Sequence, residues 1–115
     1  MTPGDEAALW APEERFWTAG AAGSLDPACI MAFPAPTGLL SGAAIGESLA
    51  AAPRWACVAL TERRIAHPAP GLAVLGYRAR GLWDGAPAYA AVCTSCYRAT
   101  AAGWRLVQHQ QTPAG

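Results

Sequence analysis

Residues 72–112 read LAVLGYRARGLWDGAPAYAAVCTSCYRATAAGWRLVQHQQT, and the punctuation of this stretch decides the fold. Three strand-like runs, Leu72 to Trp83, Ala86 to Ala99 and Trp104 to Thr112, are separated by Asp84-Gly85 and by Thr100 to Gly103. Links this short join antiparallel neighbours, because a parallel crossover needs far more chain. A fourth run, Trp55 to Ala66, comes before them, across the turn His67-Pro68-Ala69-Pro70-Gly71. The second half of the chain therefore reads as a meander of consecutive strands.

Loop lengths then set which side chains face inward. A two-residue turn at Asp84-Gly85 pairs Trp83 with Ala86 and puts Arg78 and Arg80 on the face of Tyr89, Ala91 and Cys93. Burying two unpaired guanidinium groups costs several kcal/mol. A three-residue loop, with Gly85 as the left-handed bulge residue, shifts the pairing by one. Tyr77, Leu75 and Ala79 then share a face with Ala91, Cys93 and Ser95, and both arginines point out. In the last hairpin a four-residue loop from Thr100 to Gly103 pairs Tyr97 with Leu106, Ser95 with Gln108 and Cys93 with Gln110. The predicted inner face is Tyr77, Cys93, Ser95, Tyr97, Leu106, Gln108 and Gln110, with His109 outside beside Val107 and Gln111. An apolar wall with a few neutral polar tips is the usual lining of a small-molecule pocket.

The first half reads as helices. Pro12 followed by Glu13 and Glu14 marks a start, since proline suits the first helical position and acids suit the positive end of the dipole. Phe16, Trp17, Gly20 and Ala21 recur at helical spacing; Leu9 and Trp10 either form a preceding turn or fold back on this one. Asp26 as N-cap and Pro27 at the first position predict a second helix through Cys29, Ile30 and Met31. Phe33 to Gly38, with two prolines, is a turn. Ser41 caps a third helix striped by Ile45, Ser48, Leu49 and Ala52 and ended by Pro53. Helices followed by consecutive strands make an α+β arrangement. A chain of 115 residues fits one domain, residues 1–115, that buries roughly 65% of its unfolded surface.

Composition narrows the function classes. Charged residues make up only 14% of the chain, which leaves apolar surface for a partner subunit to cover. Eight acids balance eight arginines, so no net field draws nucleic acid or an anionic membrane. The chain shows neither a signal-peptide pattern at Met1 to Glu6 nor an apolar run of about 18 residues. The reading is cytoplasmic, with Cys29, Cys57, Cys93 and Cys96 as reduced thiols. Cys93 and Cys96 form a CxxC, but residues three apart on a strand point to opposite faces and do not share a metal. No glycine-rich phosphate loop lies between a strand and a helix. Neither a metal nor a cofactor is expected.

Five segments carry a resemblance: Glu14-Arg15-Phe16-Trp17, Met31-Ala32-Phe33-Pro34, Ser48 to Trp55, Ala73 to Ala79, and the tail Gly103-Trp104-Arg105-Leu106-Val107-Gln108-His109-Gln110-Gln111-Thr112-Pro113. Along nearly the whole chain it resembles the bacterial nuclear transport factor 2-like families, in particular a branch close to the SnoaL-like polyketide cyclases. The resemblance implies a cone-shaped, cystatin-like half-barrel of antiparallel sheet with a helix across its mouth, dimerised through the outer sheet face. It also implies where ketosteroid isomerase chemistry would sit. The base of that family falls on Ala35, its oxyanion acid near Ser95 and its helical tyrosine near Phe16. None of these positions carries the group required, and no Asp or Glu follows Asp84.

The expectation is a homodimer whose pocket holds a small neutral or apolar molecule without chemistry. The expected contacts are Phe16, Tyr77, Cys93, Ser95, Tyr97, Gln108 and Gln110. Two alternatives stand beside it. One is a cyclase, isomerase or hydrolase using Tyr77, Tyr97 or His109 in place of the missing carboxylates. The other is a protein-interaction module working through the outer sheet face. A register different by one residue would turn His109 into the pocket.

Overall fold

Pro12 does not open the first helix. A computed structural model of the chain, which describes residues 3–20, 24–51, 55–82 and 87–114, places α1 at Pro3–Ala19 with Pro12 inside it. An internal proline removes one i→i−4 hydrogen bond. The helix nevertheless presents a single buried stripe of Leu9, Trp10, Glu13, Phe16 and Trp17, so packing against the sheet holds both halves in line. Leu9 and Trp10 thus belong to the same helix. Gly20, at φ 81°, follows its last turn in the left-handed conformation that ends helices.

Asp26 and Pro27 lie in a strand rather than a helix. β1 is Leu25–Phe33. The Asp26 carboxylate accepts the Ala28 backbone N–H at 2.9 Å and the Arg98 Nε–H at 2.6 Å, so it closes a local turn and ties the strand across the sheet. Cys29 and Met31 are buried while Ile30 is 53% exposed, which is the period-two alternation of a strand. β1 turns through Pro34 to Thr37 and pairs antiparallel with β2 (Gly38–Ser41). α2 (Ala43–Ala51) follows, with Ile45 buried beneath it; Ala52 and Pro53 lie outside the described residues.

β3 (Cys57–Ala69), β4 (Leu72–Leu82), β5 (Tyr89–Thr100) and β6 (Gly103–Pro113) form the meander. The six strands make one curved, unclosed sheet in the order β2-β1-β6-β5-β4-β3. The two helices pack on this α+β sheet. All neighbours are antiparallel except β1 and β6, which run parallel, a pairing that short links could not reveal.

Between β4 and β5 the register is the one charge burial requires. Tyr77 faces Cys93, Leu75 faces Ser95 and Ala79 faces Ala91, while Arg78 and Arg80 are exposed. Arg78 pairs with Glu62 at 3.0 Å. Trp83, Asp84, Gly85 and Ala86 lie outside the described residues. Gly81 has a packing role: a Cβ there would come within 2.9 Å of the Trp55 ring. Gly81→Ala is expected to cost about 1–3 kcal/mol by overpacking, read as a lower urea midpoint with altered tryptophan emission.

The β5–β6 hairpin departs from the predicted pairing. Tyr97 faces Leu106 as expected, but the register shifts beyond it, so that Cys96 faces Gln108 and Ser95 faces His109. Val107 is the extra residue of a bulge. Because side chains alternate, one inserted residue turns everything after it to the other face. His109 therefore points inward, and Gln108 and Gln110 point outward.

Candidate functional site

The buried stripe of α1 is apolar except at its centre, where Glu13 is fully enclosed. The helix lays this carboxylate across the inner faces of β4, β5 and β6. A buried carboxylate is costly unless hydrogen bonds replace its water. Four strand residues meet it. Tyr77 donates its hydroxyl to Oε2. Ser95 donates to the same oxygen at 2.6 Å, and Tyr97 donates to Oε1 at 2.7 Å. His109 Nδ1 lies 3.5 Å from Oε2.

A second layer of hydrogen bonds extends the cluster. The Ser95 hydroxyl proton is directed at Glu13, so its 2.7 Å contact with His109 Nδ1 fits a proton on that nitrogen. On the far side of the ring, His109 Nε2 sits 3.1 Å from Gln111 Nε2, which fits an amide N–H donated to the imidazole. Trp17 Nε1 donates to the Tyr77 hydroxyl at 3.1 Å. Phe16 and Phe33 flank the imidazole, with ring centroids 4.5 and 5.8 Å away. The members of this network thus supply one another's hydrogen bonds.

The electrostatics follow from these contacts. Burial is the largest influence on Glu13 and pushes its carboxyl up. His109 and the hydroxyls of Ser95 and Tyr77 together outweigh burial, and the carboxyl sits below the ordinary glutamate range. Burial and the neighbouring carboxylate push the phenols of Tyr77 and Tyr97 up, so both stay donors. The Cys93 thiol is pushed up to about 12, first by burial and then by Glu13, and is unreactive.

The expected contact residues divide into two groups. Phe16, Tyr77, Cys93, Ser95 and Tyr97 come together inside the cone. Gln108 and Gln110 do not: the bulge puts both on the outer face, where Gln110 Oε1 accepts from Thr94 at 3.1 Å. Ala35 is exposed in the β1–β2 turn, away from the interior. Cys93 points in and Cys96 out. Among the described residues, no three His, Cys, Asp or Glu side chains gather as metal ligands. Clefts of about 300, 460 and 400 Å³ open on the surface, and none of these three touches the Glu13 cluster.

No protein-family model matches the chain, and no curated protein matches it. Solved structures do. A ketosteroid isomerase-like protein of Erwinia carotovora atroseptica superposes with a TM-score of 0.77 at 13% identity, over 96% of this chain and 93% of that one. A nuclear transport factor 2-like protein of unknown function from Prochlorococcus superposes with a TM-score of 0.78 at 10% identity, over 100% and 95%. The CamKII hub homology domain of Chlamydomonas reinhardtii gives 0.73 at 19% identity, over 96% and 98%. The fold is that of the nuclear transport factor 2-like proteins.

Within this nuclear transport factor 2-like fold, the carboxylate arrives from the first helix and not from the sheet. Sequence reasoning passed over Glu13 because Pro12 made it look like a first-turn acid. The signal that could have found it is spacing: Glu13 lies midway in the series Leu9, Trp10, Phe16, Trp17, on the helical face where only apolar residues are expected.

A pH dependence follows from the depressed carboxyl. Glu13 titrates lower in the folded chain than in the unfolded one, where its value is about 4.3. Its contribution to stability is therefore complete above that pH and is lost as pH falls through the folded value. Asp26 acts with the same sign, its carboxyl held down by the Ala28 N–H and by Arg98. Urea midpoints are expected to be flat in this respect from about pH 7 to 5 and to fall below about pH 4.3. Glu13→Gln, measured in an Asp26→Asn background, is expected to flatten the acid limb.

Proposed function

We propose that the chain is one nuclear transport factor 2-like domain that carries out no chemistry and works as a homodimer, joined through the outer face of its sheet. The observation behind the first half is the closed Glu13 network. A general base at neutral pH needs a carboxyl raised toward working pH and within reach of a substrate proton. Glu13 is shifted the other way, and its oxygens accept from three hydroxyls belonging to the protein. Such a group holds a fold together. A carbon-13 titration of the Glu13 carboxyl tests this reading: a value below the ordinary glutamate range is expected. A value above about 6 would transfer the case to an acid–base enzyme of the SnoaL or isomerase sort, with Glu13 and His109 as the acting pair.

The second half rests on the outer face. Leu39, Ala32, Gln110, Thr94 and Gly76 line up across β2, β1, β6, β5 and β4, next to a row of Ser41, Ile30, Gln108, Cys96 and Val74. Neither row carries a charge as far as β4; on β3 the first continues to Arg64 and the second to Ala66. Val92 beside them is 46% exposed, Ile30 53% and Leu39 79%. An uncharged strip of this kind, bordered by Arg64 opposite Gly76 and by Arg78 opposite Val92, suits a second copy of itself, and one structural neighbour is a hub homology domain. Light scattering is expected to give a dimer at micromolar concentration. Val92→Arg would set a charge against the same charge across the two-fold axis or bury it unpaired, weakening the dimer at least about 100-fold. A monomeric wild type would end the proposal.

A small neutral ligand has a place in this reading at one cleft. Leu25, Asp26, Pro27, Cys29, Ala43 and Ile45 line an opening of about 400 Å³ between β1 and α2, and Arg98 already pairs with the Asp26 carboxylate. Burial pushes the Cys29 thiol there up to about 11, so it stays neutral. The cytoplasm fits the four cysteines, all of them free thiols. No helix among the described residues is long and apolar enough to cross a membrane.

A further inference from the structure

Two consecutive residues of a strand normally point to opposite faces. Arg64 stands opposite Gly76 on the outer face, yet at this free edge of the sheet it and Arg63 both line one cleft of about 300 Å³, together with Glu6, Trp10 and Ile65. The cause is a bulge in β3. Its pairing with β4 shifts between Thr61 and Arg64, and Glu62 within the shift has φ 51°. A glutamate in the left-handed region is strained, and such residues persist where surrounding contacts hold them, commonly at binding sites. Here Arg78 holds Glu62 through the ion pair at 3.0 Å.

The bulge gives the two arginines different jobs. Arg63 is fixed: Nε donates to the Leu60 carbonyl at 3.0 Å, Nη2 pairs with Glu14 at 2.6 Å, and the guanidinium lies 4.8 Å above the Trp10 ring centre. Its charge is answered by Glu14. Arg64 is exposed, and its described hydrogen bond is a single one, from Nη1 to the Arg63 carbonyl at 3.1 Å. That leaves Nε and Nη2 as donors. Glu6, also exposed, lines the same cleft with no described partner. The cleft therefore offers one unanswered positive group and one unanswered negative group beside an apolar wall of Trp10 and Ile65.

We propose that this cleft binds a small zwitterion, an α-amino acid with an apolar side chain. The carboxylate pairs with Arg64, the ammonium with Glu6, and the side chain lies against Trp10 and Ile65. Planar guanidinium donors suit a carboxylate. A volume of about 300 Å³ is at the lower limit of small-molecule sites and fits one amino acid better than a larger cofactor. The site is separate from the Glu13 cluster and lies at the β3 edge of the sheet, where Arg64 borders the outer face beside Gly76.

Titration of the full chain followed by amide NMR tests it, with L-leucine, 4-methylpentanoate (no ammonium) and isoamylamine (no carboxylate) as probes. L-Leucine is expected to shift the amides of Arg63 to Ile65 with millimolar or tighter affinity, and each analogue to bind at least about tenfold more weakly. Arg64→Ala should weaken L-leucine at least about tenfold and leave isoamylamine unchanged; Glu6→Gln should weaken L-leucine and leave 4-methylpentanoate unchanged. Both side chains are exposed, so neither variant threatens the fold. No shift at about 10 mM L-leucine, equal binding of 4-methylpentanoate, or unchanged affinity in Arg64→Ala would each overturn the proposal.

Discussion

Replacing Glu13 with alanine is expected to remove about 3–5 kcal/mol of folding stability, the cost of taking one partner from a buried ionic network. Tyr77, Ser95 and Tyr97 each direct a hydroxyl donor at the vacated space beside the His109 ring, and each of these four residues is at most 3% exposed. At that degree of burial they bear the desolvation penalty of unpaired polar groups. A domain of this size has about 5–15 kcal/mol in total, and the variant should be close to unfolded at 37 °C. The measurement is a urea or thermal transition near pH 7. Glu13→Leu combined with Tyr77→Phe and Tyr97→Phe should recover at least about 1 kcal/mol over Glu13→Ala, because apolar replacement removes the unsatisfied hydroxyls as well. If Glu13→Ala instead leaves stability within about 1 kcal/mol of the parent, the carboxylate is not there for the fold. Stability withheld at a buried site is a mark of function, and the enzyme reading would then lead.

The sequence shows the meander well because its signals are local. Turn residues at His67 to Gly71 and at Thr100 to Gly103 bracket the strands, and the two outward arginines determine the β4–β5 register without any knowledge of the helices. β1 was hidden for the opposite reason. Asp26-Pro27 carries a strong helix-start signal, whereas what makes the segment a strand is its parallel pairing with β6, at the far end of the chain. The period-two alternation around Ile30 was the one local hint.

The site was legible as far as the β5–β6 bulge. Tyr77, Ser95 and Tyr97 are inward as expected, since the inserted residue lies on β6 and leaves the alternation along β4 and β5 undisturbed. Past Val107 the alternation inverts, and Gln108 and Gln110 exchange places with His109. Nothing in the residues around Val107 marks the inserted position; no glycine stands there. The physical reason becomes visible only with Glu13 in place. With the bulge, a histidine meets a buried carboxylate and serine. Without it, two amides would face them while the imidazole lay outside. The helix carboxylate and the bulge depend on each other, and neither can be derived alone.

Trp17→Ala is expected to cost a further large amount, about 3–5 kcal/mol, as for other buried tryptophan truncations. The indole is 3% exposed and joins three elements. Its ring centre lies 6.1 Å from both Trp55 and Tyr89, its Nε1 donates to Tyr77 at 3.1 Å, and its carbonyl accepts the Trp55 backbone N–H at 3.4 Å. It therefore fixes the end of α1 onto the start of β3 and of β5, and with them the position of Glu13 one helical turn earlier. Trp17→Phe separates packing from hydrogen bonding. It keeps most of the apolar contact and loses the N–H donor, and should cost only about 1–2 kcal/mol. In Trp17→Phe the Tyr77 hydroxyl still donates to Glu13, so the acid limb of the stability profile should stay where it is in the parent. If Trp17→Phe were as damaging as Trp17→Ala, the indole N–H would be the main tie. Tyr77 would then be positioned through Trp17 and not through the carboxylate, and the Glu13 network would lose its place as the centre of the fold.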